Sequence, residues 1–315
     1  MGIMNKKPVA RPFIKWAGGK TQLVDTFRWF YPAALFRGEI ERYVEPFVGS
    51  GAVLLDIIQR HPFKEAVIAD INPALIATYK AVKENVEHLI DYLADMEEKY
   101  LSLGEKERKD FYYTKRDEYN RIIAGNDGLE FRSPQLTGAG LFLFLNRTCY
   151  NGLYRVNRAG IFNVPAGRYK KPRICNPDNL RAVSALLQNV TVLQCHYQEC
   201  MSYMDKNSFV YFDPPYRPLS ATSSFTSYSS AGFDDREQKK LAAFYRIMHQ
   251  KGAFLMLSNS NPGDNDSGDI FFRRLYHGFN IQTVNARRTI NSRGDHRGAV
   301  SEIIVTNYTP WSRSP

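Results

Sequence analysis

Tyr43-Val44-Glu45-Pro46-Phe47-Val48-Gly49-Ser50-Gly51-Ala52-Val53-Leu54-Leu55-Asp56-Ile57-Ile58, followed by Ala66-Val67-Ile68-Ala69-Asp70, is the stretch on which the fold turns. An apolar segment at 43–47 runs into Gly49-Ser50-Gly51 and then into apolar-rich residues 52–58, the pattern of a strand, a glycine turn and a helix. A second short strand, 66–69, ends in Asp70, 19 residues after Gly51, and completes a βαβ unit. Glycine at such a turn lets the backbone leave the strand sharply and approach a ligand closely. An acid ending the next strand can accept hydrogen bonds from ribose hydroxyls. The dinucleotide fingerprint requires a third glycine where Leu54 stands, which argues against NAD. Nucleoside binding and a merely structural tight turn both remain open.

Outward from this unit, apolar residues spaced among charges predict helices over 72–83 and 84–119, the start of a helical lobe. The α/β pattern resumes after Pro177. Helices are expected near 178–187, 235–249 and 270–276, and strands near 190–195, 209–212, 253–257, 281–286 and 302–306. Alternating β and α elements imply a mainly parallel sheet covered on both faces. No internal repeat or low-complexity linker interrupts it.

The length, 315 residues, gives a prior of about two lobes. With 43% hydrophobic and 23% charged residues, the composition excludes a disordered or collagen-like chain. Lys and Arg number 42 against 32 Asp and Glu, a net charge of +10 that suits a phosphate-rich partner or a membrane surface alike. The longest apolar run, Leu141-Phe142-Leu143-Phe144-Leu145 after Gly140, is far short of the ~18 residues that span a bilayer. The first residues lack the apolar core of a signal peptide, and Lys6 stands where a myristoylation motif wants Ser or Thr, so a cytoplasmic protein is expected. Cys149, Cys175, Cys195 and Cys200 show neither disulfide-scaffold density nor CxxC spacing and are expected to be reduced thiols.

Several strings carry chemistry. Gly18-Gly19-Lys20-Thr21 resembles the end of a phosphate loop, but Ile14 replaces the first glycine and no strand precedes it, so it reads as an entry loop or a lid. Asp213-Pro214-Pro215-Tyr216 closes a very apolar strand, and two prolines force the chain out of the sheet stiffly, with an acid and a ring held on either side. An exocyclic amine on a base is a poor nucleophile because its lone pair is delocalised into the ring. A carboxylate and a backbone carbonyl that accept its two N–H bonds favour a pyramidal nitrogen and free that pair. The simpler alternative is a strand-ending acid before an ordinary proline turn. Between Glu130 and Asp178, 47 residues carry eight Lys or Arg and no acid, interleaved with Tyr150, Tyr154, Phe162 and Tyr169. Phosphate attraction needs cations, base edges are read by Arg and Asn, and aromatic rings stack on or wedge between bases. A solvated basic face is the alternative, although ordinary surfaces mix signs. The six histidines, His296 included, form no metal-ligand spacing, and the acidic segment 263–269 lacks the spacing of a calcium loop.

Taken in order, these strings resemble the Dam-type DNA adenine-N6 methyltransferases, which use S-adenosylmethionine. The resemblance rests on Phe13-Ile14-Lys15-Trp16-Ala17-Gly18-Gly19-Lys20, the 44–51 segment, Ala69-Asp70-Ile71-Asn72, Tyr150-Asn151-Gly152-Leu153, the 162–172 segment, and Asp213-Pro214-Pro215-Tyr216 with its continuation to Thr222. It runs from about residue 13 to 308 in the family's order of cofactor site, target-recognition region and catalytic loop. It implies an α/β fold: a Rossmann-like S-adenosylmethionine-dependent methyltransferase sheet, residues 1–75 and 177–315, interrupted by a mainly helical target-recognition domain, residues 76–176.

By that resemblance Trp16, Lys20, Phe47, Gly49, Gly51 and Asp70 surround the cofactor, with Asp70 on the ribose and Asp213 between cofactor and base. Asp213 and the Pro214 carbonyl hold the amino group of a flipped adenine, Pro215 stiffens the loop, and Tyr216 stacks on the base. Lys15, Tyr150, Asn151, Leu153, Arg155 and Pro165 match positions that read or wedge into GATC, while Asn157, Asn163, Arg168 and Lys170 match backbone-facing or neighbouring positions. S-adenosylhomocysteine is the implied product, and no metal is expected. The implied partner is double-stranded DNA, with a restriction endonuclease of the same specificity as an open second partner, no membrane, and a monomeric state. Thr148-Cys149 and the longer loop at 262–268 depart from the family pattern. Methylation of RNA or of a protein amide, and DNA binding without catalysis, are the competing functions; Asp213, where such loops carry Asn, and the intact 213–216 string weigh against them.

Overall fold

The computed structural model describes residues 9–125, 136–217, 233–260, 270–286 and 300–311. Glu130, Arg132, the 218–222 continuation, the 262–268 loop, the acidic 263–269 segment and His296 lie outside the described residues. Two short helices, α1 (Val24–Phe27) and α2 (Ala33–Phe36), precede β1 (Arg42–Glu45) and α3 (Ala52–Arg60). Then come β2 (Glu65–Asp70), α4 (Pro73–Glu84), α5 (Val86–Ser102), α6 (Glu105–Ile123) and α7 (Leu136–Thr148). The second half supplies α8 (Pro177–Leu187), β3 (Val190–Gln194), β4 (Ser208–Phe212), α9 (Asp235–Gln250), β5 (Phe254–Ser260), α10 (Ile270–Leu275), β6 (Asn280–Ala286) and β7 (Val300–Thr306).

The strands form one seven-stranded sheet in the order β3-β2-β1-β4-β5-β7-β6. Pairing is parallel from β3 to β5, while β7 runs antiparallel to both β5 and β6. The strand order reverses between β1 and β4, which are hydrogen-bonded neighbours. In open α/β sheets that switch point opens a crevice at the carboxyl ends of the strands. β1 stops at Glu45, earlier than its apolar run suggests, because Pro46 has no N–H to give the ladder. Strand residues alternate between two cores, as a pleat requires. Tyr43, Ile68, Phe209 and Tyr211 face one layer, and Val44, Val67, Val210 and Phe212 face the other, with Leu241 and Tyr245 of α9.

The first of these cores does not end at the sheet. It continues through Leu54 of α3 and Leu75 of α4 to Leu93 of α5, Tyr119 of α6 and Phe142 and Phe144 of α7. No periodic signal marks α7, and the reason is its burial: residues 138–146 are all buried, so no polar stripe traces a helical period. Gly140 is required there, since a Cβ on it would lie 2.3 Å from the Tyr92 ring. The expected junction at 75/76 falls inside α4, which packs on β2 and β3 as well as on α7. All four cysteines are free thiols, as their spacing suggested. Among the described residues no helix is long and apolar enough to cross a membrane.

Candidate active site

The glycine turn after β1 builds the first half of the site. Gly49 (φ 47°) and Gly51 (φ 68°) both adopt left-handed conformations that an L side chain resists. Space forbids one as well: a Cβ on Gly49 would lie 2.9 Å from the Trp16 ring, and one on Gly51 2.5 Å from the Tyr79 hydroxyl. The Tyr79 hydroxyl donates to the Gly49 carbonyl at 3.1 Å and fixes the turn against α4. Asp70, at the end of β2, accepts the Gly49 N–H at 3.3 Å and the Asn72 N–H at 3.0 Å. Burial pushes its carboxyl up to about 6, against the opposing pull of these backbone donors. Beside it Ile71 is 61% exposed, and the Phe47 ring lies 5.3 Å from Tyr197 and 5.8 Å from Phe233. Trp16, Phe47, Gly49, Gly51 and Asp70 therefore gather at the carboxyl ends of β1 and β2. A carboxylate acceptor, apolar and aromatic walls and a turn without Cβ atoms match the hydroxyls, base and close approach of a nucleoside such as S-adenosylmethionine.

The second half lies across the switch point, where Asp213 follows β4. Gln238 of α9 donates to the Pro215 carbonyl at 3.1 Å, and Arg217 pairs with Asp235 at 2.7 Å, so both the loop and its exit are pinned to α9. Lys20, 3% exposed, reaches in from the segment ahead of α1. Its ammonium lies 2.6 Å from Asp213 Oδ1 and donates to the Tyr216 hydroxyl at 3.0 Å and to the Gly18 carbonyl at 2.8 Å. The Tyr216 hydroxyl donates in turn to Glu302 Oε1 of β7 at 2.6 Å. Ser258 of β5 donates to Asp213 Oδ1 at 3.1 Å and contacts the Tyr211 hydroxyl at 2.7 Å. Burial alone would lower the Lys20 pKa, but Asp213 and then Glu302 outweigh it and raise it, so the ammonium stays charged. Burial raises Asp213 and Glu302, with Lys20 opposing in each case.

Lys20, expected at the cofactor, makes its charged contact with Asp213. Glu45 is a further buried acid, 2% exposed, which accepts from the Tyr43 hydroxyl at 2.7 Å and is pushed well up by burial.

A two-armed loop after α7 carries most of the expected DNA contacts. The turn over 150–152 contains Asn151 in the left-handed region (φ 54°) and leaves Tyr150 44% exposed. The arms pair at Cys149 with Ala166 and at Val156 with Phe162, and the Tyr150 N–H donates to the Pro165 carbonyl at 2.8 Å. Arg155 Nε donates to Asn163 Oδ1 at 2.8 Å across them. Asn157 Oδ1 accepts the N–H groups of Ala159 and Ile161, both at 3.0 Å, and so holds the tip. Leu153 packs partly against the core, while Pro165, Arg168 and Lys170 are exposed. Lys15, expected with the DNA-contacting residues, lies against this loop, with its ammonium 4.5 Å over the Tyr169 ring.

Residues absent from the sequence reading hold this loop in place. Asn120 brackets Phe162, donating to its carbonyl at 3.0 Å and accepting its N–H at 2.9 Å, and the Tyr112 hydroxyl donates to the Val164 carbonyl at 2.8 Å. Buried Asn146 accepts the Lys15 N–H at 2.8 Å and donates to the carbonyls of Lys15 and Gly152 at 2.8 and 3.1 Å. Trp16 bridges the two regions, touching Gly49 and stacking on Tyr154 with centroids 5.5 Å apart. Ser258 and Glu302 were missed because nothing local in β5 or β7 marks them.

Residues 16–290 match the family described as D12 class N6 adenine-specific DNA methyltransferase. The chain is similar to the Type II methyltransferase M.MjaIII of Methanocaldococcus jannaschii, 48% identical over 299 residues that cover 95% of this chain and 99% of the relative. It is 34% identical over 311 residues to the Type II methyltransferase M1.LlaDCHI of Lactococcus lactis subsp. cremoris, covering 98% and 99% of the two chains. To the DNA adenine methylase of Escherichia coli K12 it is 35% identical over 305 residues, covering 97% and 98%.

Proposed function

The chain belongs to the D12 class of N6 adenine-specific DNA methyltransferases, and on that premise we propose that it methylates adenine within GATC in duplex DNA after turning the base out of the helix. The observation that carries this reading is the pinned 213–216 loop at the switch point, with a nucleoside-shaped edge on one side and the basic two-armed loop reached through Trp16 on the other. Family membership implies S-adenosylmethionine as methyl donor. When bound, it supplies an electrophilic methyl group on a positively charged sulfur that is itself the leaving group. Asp70 would hold the ribose, with Trp16, Phe47, Gly49 and Gly51 around the rest and Lys20 beside Asp213.

Base rotation costs a few kcal/mol, offset by what the pocket offers the flipped adenine. The Asp213 carboxylate and the Pro214 carbonyl accept the two amino N–H bonds, and the Tyr216 ring covers the base. With its lone pair withdrawn from the ring, N6 becomes the nucleophile, and the proton it sheds after transfer leaves by way of the acceptors that held it. Residues 1–75 and 177–315 would form the catalytic part and 76–176 the target-recognition part. Lys15, reaching over from the catalytic part, and Tyr150, Asn151, Leu153, Arg155 and Pro165 of the recognition part read or wedge into the site, and Asn157, Asn163, Arg168 and Lys170 lie toward the backbone. The turn bonds of Asn157 give it a second task, shaping the tip on which Arg158 stands.

The test is expression in cells lacking adenine methylation, followed by mapping of modified adenines. Methylation confined to GATC is expected; methylation at another site overturns GATC and leaves the enzyme class. Asp213→Ala is expected to abolish transfer and leave specific DNA binding largely intact, and loss of both together removes the role given to Asp213. The names of two relatives as Type II methyltransferases favour a second reading of purpose, protection of DNA beside a restriction endonuclease of the same specificity. Resistance of the methylated DNA to such an endonuclease, supplied by the same cells, tests it.

A further inference from the structure

We propose that Glu302 is a positioning residue of the methyl-transfer site: it fixes the Tyr216 phenol and offers the Lys20 ammonium a second carboxylate, so that Asp213 can exchange that ammonium for the amino group of the incoming base. The inference rests on the reading of Asp213 and Tyr216 given above. An ammonium has three N–H bonds, and Lys20 spends them on Asp213, Tyr216 and the Gly18 carbonyl. Asp213 Oδ1 is correspondingly crowded, with Lys20 at 2.6 Å and Ser258 at 3.1 Å. An amine seeking the same carboxylate meets an acceptor whose charge is already drawn toward a cation.

Glu302 supplies the alternative. Its Oε1 is satisfied by Tyr216, but its Oε2 is buried without a hydrogen-bond partner among the described residues and lies 3.9 Å from Lys20 Nζ. A movement of about 1 Å brings the ammonium within hydrogen-bond range of that oxygen. The move satisfies a buried acceptor that is otherwise left at a cost. It also keeps the buried cation paired while Asp213 is freed, whereas without Glu302 the same move would strand it. Tyr216 remains hydrogen-bonded to Glu302, so the ring that covers the base does not shift.

Glu302→Gln tests this, because its amide oxygen can still accept from Tyr216 while the charge that attracts Lys20 is gone. Single-turnover methyl transfer to a duplex oligonucleotide should slow by roughly tenfold or more. Dissociation constants for the duplex and for S-adenosylmethionine, measured separately, should stay within about threefold. A wild-type rate in Glu302→Gln overturns the proposal, as does a loss of rate matched by an equal loss of binding. Sharing of the ammonium has a readout independent of activity: in urea unfolding, Asp213→Asn combined with Glu302→Gln should cost more stability than the two single changes added together. Strict additivity overturns the proposal. Asp213→Ala separates the layers. If it transfers methyl groups at the wild-type rate, the site reading itself fails. If it is inactive while Glu302→Gln is unimpaired, this inference alone fails.

Discussion

On the proposed reading, Asp70 and Arg155 are single side chains that set conditions for the two ligands. Burial raises the Asp70 carboxyl to about 6, and the ionised form is the one that accepts from ribose hydroxyls. The raised value means that protonation competes with the cofactor at mildly acidic pH. Affinity for S-adenosylmethionine should be held above neutrality and fall as pH drops through about 6, and calorimetry across that range should show the fall flattened in Asp70→Asn. Arg155 is held by Asn163 through Nε, at 2.8 Å to Oδ1, and a longer 3.5 Å bond from one terminal nitrogen to the carbonyl, which orients the fork and leaves other donors to read a base. Arg155→Ala should weaken discrimination at one base pair by roughly 1 to 3 kcal/mol with a modest change in salt slope. Competition binding with single-base variants checks this; equal loss of affinity for every sequence would place Arg155 on the backbone instead. Asp213 and Tyr216 were legible in sequence because the two prolines between them are a local signal. Ser258 and Glu302 were not, because they reach Asp213 and Tyr216 from 45 and 86 residues away through strand pairing.

Helix α7 does for the elements what β4 does for the residues: it holds segments far apart in sequence in one register. Its Asn146 stitches the Lys15 backbone to the 150–152 turn with three hydrogen bonds. Asn146→Ala would leave buried backbone groups of Lys15 and Gly152 unpaired, at about 1 to 3 kcal/mol for each group that water cannot reach. Urea unfolding should register a loss of that order, with DNA affinity falling before cofactor affinity; an unchanged midpoint would show the stitch to be dispensable. The βαβ unit was readable because glycine turns and period-two strands are local patterns. For α7 the local pattern was erased by its own burial, and only packing against α4, α5 and α6 identifies it. The two-armed loop shows the same limit. Its basic, aromatic content was visible, but Asn120 and Tyr112, which clamp it, belong to α6 and carry no mark of that task.

At the scale of the molecule, chain length suggested two lobes, and the connection between them is the informative part. One apolar core runs from the sheet face through α3 and α4 into α5, α6 and α7. Units that share a core unfold together, so calorimetry should give a single transition with matching calorimetric and van't Hoff enthalpies. Two resolved transitions would show that the core is divided. The net charge of +10, by itself compatible with several partners, takes meaning from this arrangement, because the basic loop is anchored through Asn146 to the segment that carries Lys15 and, five residues on, Lys20 beside Asp213.

The reversal of β7 has a consequence for what the proposed site depends on. A strand parallel to its neighbours would begin at the far end of the sheet, but β7 runs against β5, and so its opening residues, Glu302 among them, meet the closing residues of β5. Because side chains alternate between the faces of a sheet, a slip of one residue in that pairing would carry Glu302 to the opposite face, away from Tyr216.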